Sequence, residues 1–123
     1  MQATLDPPTR SIDTVVQERV PIQLVFIEAA IREQQKKREL GDDKNMMKMY
    51  RMAAEALDEL GEQEHPRLTH AQLAELWEQA GEQLRGTRYY AEHNHCVISA
   101  INHYKDANQW DRAYGAFRKL YGK

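Results

Sequence analysis

The sequence predicts an all-α fold, a compact bundle or array of four to five helices behind a flexible N-terminal arm. Apolar residues recur at spacings of three and four through most of the chain. Glycine and proline number only 6 and 4 in 123 residues, too few for the turns of a β-sandwich or barrel. The polar remainder is dominated by charged and amide residues that favour helix. A hydrophobic share of 41% and a charged share of 29% suit a folded globule, and the length suits one domain.

Residues 1–10 hold two of the prolines and little to bury, so they are expected to form the arm, with residues 11–123 as a single helical domain. Ser11 is placed to cap a short helix through Ile12, Val15 and Val16. Pro21 is expected to end that turn and open the next helix. Leu24, Val25, Ile27, Ala30 and Ile31 form its stripe. Its tail from Arg32 to Glu39 is wholly polar, so only the first half need be buried, and Gly41 stops it. Asp42 or Asp43 caps a second helix, whose face is Met46, Tyr50, Ala53, Leu57 and Leu60, widened by Met47 and Ala54. After a loop around Pro66, Thr69 with Gln72 reads as a capping box. The third helix then buries Leu73, Leu76, Trp77, Ala80 and Leu84. A fourth, from about Thr87 to Ala107, aligns Tyr90, His93, Val97, Ile101 and Tyr104, with Tyr89, Cys96, Ala100 and Ala107 beside them. Asn108 and Gln109 form a turn. Trp110, Ala113, Tyr114, Phe117, Leu120 and Tyr121 mark the last helix.

Several histidines invite a chemical reading. His93, Cys96 and His103 share one side of the fourth helix, but His93 and His103 stand about 15 Å apart along its axis, too far for one zinc. Only His93 and Cys96 could chelate together, with help from His65 or His70 in the preceding loop. Glu62 with His65, and Glu92 with His95, match the Glu-x-x-His pairs of di-iron bundles. The second pair lies opposite the apolar face, and the first stands beside Pro66. Cys96 falls on the apolar side, where a thiol is an inert small hydrophobe. No nucleophile elbow or phosphate loop is present. The chain is therefore read as no enzyme, with no catalytic residue, cofactor or metal ligand expected. A metal-dependent enzyme ranks last among the alternatives.

The net charge of −2 conceals an acidic middle and a basic C-terminal third. Two binding readings follow. The first is docking of another protein on exposed helical surface, as a regulator, adaptor or inhibitor. Met49 and Met52 of the Met-rich segment and Tyr114 and Tyr121 of the last helix are its candidate contacts. The second is nucleic-acid association through Arg85, Arg88, Lys105, Arg112, Arg118 and Lys119. The aromatics between these cations fall mostly on apolar stripes, which favours the core over base stacking for them. The opposed charges would also allow reciprocal contacts in a homodimer. The single cysteine fits a reducing, cytoplasmic compartment, and no apolar run is long enough for a membrane span.

Val97, Ala100, Ile101, Tyr104, Trp110, Ala113 and Phe117 carry a resemblance. Over residues 94–123 they resemble a single tetratricopeptide-type helical hairpin, with Asn108 where the turn glycine is usual. No second copy stands 34 residues earlier. The resemblance implies a helical hairpin and a peptide- or protein-binding role.

Overall fold

A computed structural model describes residues 12–63 and 67–121, with side chains over 22–63 and 69–119. The expected arm at residues 1–10 lies outside the described residues. Five helices follow in order: α1 (Ile12–Glu39), α2 (Asp43–Gly61), α3 (Arg67–Glu82), α4 (Tyr90–Asp106) and α5 (Trp110–Tyr121). Among the described residues there is no strand, and no helix is long and apolar enough to cross a membrane.

Each helix packs chiefly on its sequence neighbour: α1 on α2, α3 on α4, and α4 on α5, with lighter contacts of α3 to α1 and α2. One core joins Ile27, Ala30 and Ile31 of α1 to Met46, Met47, Tyr50, Ala53, Leu57 and Leu60 of α2. It continues through Leu73, Ala74, Leu76, Trp77 and Ala80 of α3 to Cys96, Ala100 and Tyr104 of α4. The spacing-derived faces of α2 and α3 are thus the buried ones.

Helix boundaries follow local chemistry. Gly41, at φ +73°, closes α1 in a Schellman turn: its N–H donates to Arg38 O at 3.0 Å, and that of Asp42 to Lys37 O at 2.9 Å. Asp42 then caps α2, accepting from Asn45 N at 3.3 Å. That bond and the Asn45 side chain hold the Asp42 carboxyl below its ordinary pKa. Asn108 closes α4 in the same way with a left-handed φ of +62°, the N–H of Gln109 donating to Tyr104 O at 2.8 Å.

Four expectations are corrected. Pro21 lies inside one continuous α1; its locked φ is compatible with a helix, while an interior proline costs one backbone bond and crowds the carbonyl four residues back. Helix α3 begins at Arg67, so Thr69 sits in its first turn and not before it; Arg67 and Leu68 are themselves good helix formers. His70 is consequently a helical residue, not a loop residue. The polar tail of α1 is not wholly outside. Gln34 is fully buried there, donating through Nε2 to Ala80 O at 3.1 Å and lying 3.9 Å from Met46 Sδ.

Gln34 and Arg38, one turn apart, complete the end of α3. A helix leaves its last carbonyls without N–H partners. Gln34 serves Ala80 O, while Arg38 donates to Glu82 O at 2.7 Å and Arg85 O at 2.8 Å. The run that looks like a solvated helix end is a cap for another helix.

Candidate functional site

Helix α5 is anchored to the rest of the array by its two small buried residues, Ala113 and Ala116. Alanines let the helix approach α4 closely, and the large side chains beside them overhang into solvent. Trp110 is 60% exposed, Tyr114 63% and Phe117 46%. They occupy positions i, i+4 and i+7, which share one line along a helix. The Tyr114 and Phe117 rings stack with centroids 6.3 Å apart, and Trp110 Nε1 donates to Asn108 Oδ1 at 3.0 Å. Trp110 and Tyr114, which fall on an apolar stripe that spacing alone favours for the core, are at the surface; Tyr114 is also one of the candidate partner contacts. Tyr90, expected on the buried face of α4, is likewise 70% exposed. Helical angle identifies a shared face but not whether a neighbouring helix reaches it.

The other candidate contacts are scattered. Met49 is half-buried on α2, and Met52 is 39% exposed beside Phe26, with Glu55, Ala56 and Glu59 around a shallow hollow. Helices α2 and α5 are not packing neighbours, so Met52 and Tyr114 do not form one surface. The side chain of Tyr121 lies outside the described residues.

The six basic candidates are largely engaged within the chain. Arg112 donates to Glu75 at 2.9 Å and to the Tyr104 hydroxyl at 3.1 Å, its guanidinium lying 4.6 Å above the Tyr104 ring. Tyr104 donates in turn to Glu78, whose other oxygen receives Lys119 at 3.0 Å. Burial first, then the Glu78 bond, raises the Tyr104 hydroxyl above its ordinary pKa. Arg85 pairs with Glu82 at 3.5 Å, and Arg88 lies over Tyr89 at 5.0 Å. Lys105 and Arg118 are exposed, without an ion pair among the described residues. Acidic middle and basic end therefore meet inside the molecule, through α3 carboxylates and α5 cations.

Cys96 is sealed in the core, 3.8 Å from the Tyr50 hydroxyl. Burial pushes its thiol up to about 12, which leaves no thiolate for nucleophilic chemistry near neutral pH. His93 contacts Asn94 at 3.4 Å, and exposed His95 meets the edge of Trp77 at 5.3 Å. Neither joins Cys96 in a ligand set among the described residues.

A different trio does converge. His70 in the first turn of α3, and His103 and Asp106 in the last turn of α4, bring one possible ligand atom each within 4.8 Å of the others. The two Nδ1 atoms are 2.9 Å apart, and the rings stack at 27° with centroids 5.2 Å apart. Reading His70 as a loop residue hid this pairing. The remaining signal is His103-x-x-Asp106, one face of one helix turn.

The chain matches no protein-family profile, no curated protein and no solved structure.

Proposed function

We propose that this chain is a non-enzymatic helical module that binds another protein by laying α5 into an apolar groove of its partner. The supporting observation is the exposed Trp110 and Tyr114, with Phe117 one turn further on. A helix that docks in a groove uses anchors at i, i+3 or i+4, and i+7. Aromatic side chains also carry a disproportionate share of interface energy. The likeness to a tetratricopeptide-type hairpin agrees, since in a stacked array the outer face of such a hairpin is covered by the next unit. A reducing, cytoplasmic setting suits the single buried thiol. Nucleic-acid association draws less support, because Arg85, Arg112 and Lys119 are paired with carboxylates.

The test is affinity capture from the native host with the wild-type chain and with the double variant Trp110→Ala/Tyr114→Ala. Both changes are on exposed side chains, so the fold is expected to survive, as circular dichroism would verify. Loss of specific partners by the double variant supports the reading. Full retention of every partner overturns it.

A further inference from the structure

We propose that His70, His103 and Asp106 form a binding site for one divalent transition-metal ion, zinc in the first instance. The site is independent of the α5 reading. Its first support is geometric. Two nitrogens bound tetrahedrally to one zinc at about 2.0–2.1 Å stand roughly 3.3 Å apart. The two Nδ1 atoms here are 2.9 Å apart, so the rings need to part by a few tenths of an ångström and turn until both lone pairs meet one ion. The Asp106 carboxylate lies within the same 4.8 Å cluster and closes by a side-chain rotation at an exposed position.

The framework is the second support. His103 and Asp106 are three residues apart on α4, hence neighbours on its surface, and α3, which carries His70, packs directly on α4. Ligands held by packed helices keep their geometry better than ligands on loops. Both imidazoles are half-buried and Asp106 is exposed, so the cluster lies at the edge of the fold. Asp58 of α2 and Glu62, which follows it at the C-cap, line the same surface hollow as His103, and their negative field favours a cation there.

Ligand chemistry selects the ion. Two imidazoles with one carboxylate suit zinc, ferrous iron, nickel or copper, whereas calcium and magnesium demand oxygen ligands. In the ion-free pair one Nδ1–H donates to the other Nδ1. Binding needs both lone pairs, so the donating ring takes the Nε2–H tautomer. The bound ion then staples the start of α3 to the end of α4.

The experiment uses the full chain, stripped with chelator, dialysed and titrated with zinc chloride by calorimetry at about pH 7.5, because metal binding competes with protons for its ligands. Its thermal midpoint is measured with and without zinc. One zinc per chain and a zinc-dependent rise in midpoint are expected. In the double variant His70→Gln/His103→Gln, affinity should fall by more than roughly tenfold, the least that even an outer-sphere change produces. The midpoint rise should vanish with it. The control His93→Gln/His95→Gln should bind as the wild type does. Should the first double variant not fold, Asp106→Asn, a change at an exposed side chain, replaces it with the same expected weakening. No binding by the wild type overturns the proposal. So does undiminished affinity in the ligand variants, or equal loss in the control.

Discussion

The side-chain amide of Gln34 donates to the main-chain oxygen of Ala80 at 3.1 Å, joining the end of α1 to the end of α3. The Leu84 N–H turns to Gly81 O, and the Gln34 amide serves the Ala80 carbonyl, which lies in the last turn of α3. Replacing Gln34 by Ala removes the bond and opens space in a fully buried position, an expected loss of about 2–4 kcal/mol. Replacing it by Met keeps the volume and removes only the donor, at about 1–2 kcal/mol. Urea denaturation of both variants measures the difference between them, which isolates the cavity from the hydrogen bond.

Gly81 reverses the usual rule for helix interiors. Alanine there would gain about 1 kcal/mol of helix propensity, but its Cβ would stand 2.8 Å from Cys96 Cβ. Helices α3 and α4 would have to part. Gly81→Ala is therefore expected to destabilise, by a net of about 1–3 kcal/mol. Adding Cys96→Ala should give little relief, because Cβ remains, whereas Cys96→Gly should restore part of the loss. Thermal melts of the three variants check this order.

Alkaline pH should unfold the protein earlier than its net charge suggests. The buried Cys96 thiol keeps its proton in the native state up to about 12, from an ordinary 9.0. Between these values the unfolded chain has lost a proton that the native chain retains, so stability falls as pH rises through this window. Tyr50 and Tyr104, both raised mainly by burial, steepen the fall above their ordinary 10.0. Denaturant midpoints from neutral pH upward should decline from about 9, and Cys96→Ala should flatten the first part of the decline. In the native state the thiol should resist a disulfide reagent that reacts at once after unfolding.

Asn108 is held left-handed at φ +62°, a conformation that costs a residue with a side chain roughly 1–2 kcal/mol. Asn108→Ala forfeits the local polar compensation and should lower the melting temperature. Asn108→Gly removes the strain but also the exposed bond to Trp110, so it should raise the melting temperature modestly.

Much of the fold was legible because spacing reports shared faces: Met46, Met47, Tyr50, Ala53, Leu57 and Leu60 are all buried. Gln34 was not legible, since the carbonyl it serves lies 46 residues away and no local pattern announces it. Trp110 and Phe117 fall on the apolar line of α5 that spacing reports, yet both are exposed. Among the described side chains of α5, Ala113 and Ala116 are the buried ones. His70 and His103 are 33 residues apart, and their meeting depends on α3 and α4 packing side by side.

The packing order along the chain also implies a gradient of local stability. Helix α5 packs chiefly on α4, and among its described side chains only Ala113 and Ala116 are buried. A terminal helix with one main packing neighbour opens more readily than helices packed on two sides, so its amides are expected to exchange with solvent early. The helix that presents Trp110 and Tyr114 is thus a terminal one, held mainly by a single neighbour. Occupying that face would slow its exchange more than that of the rest of the chain.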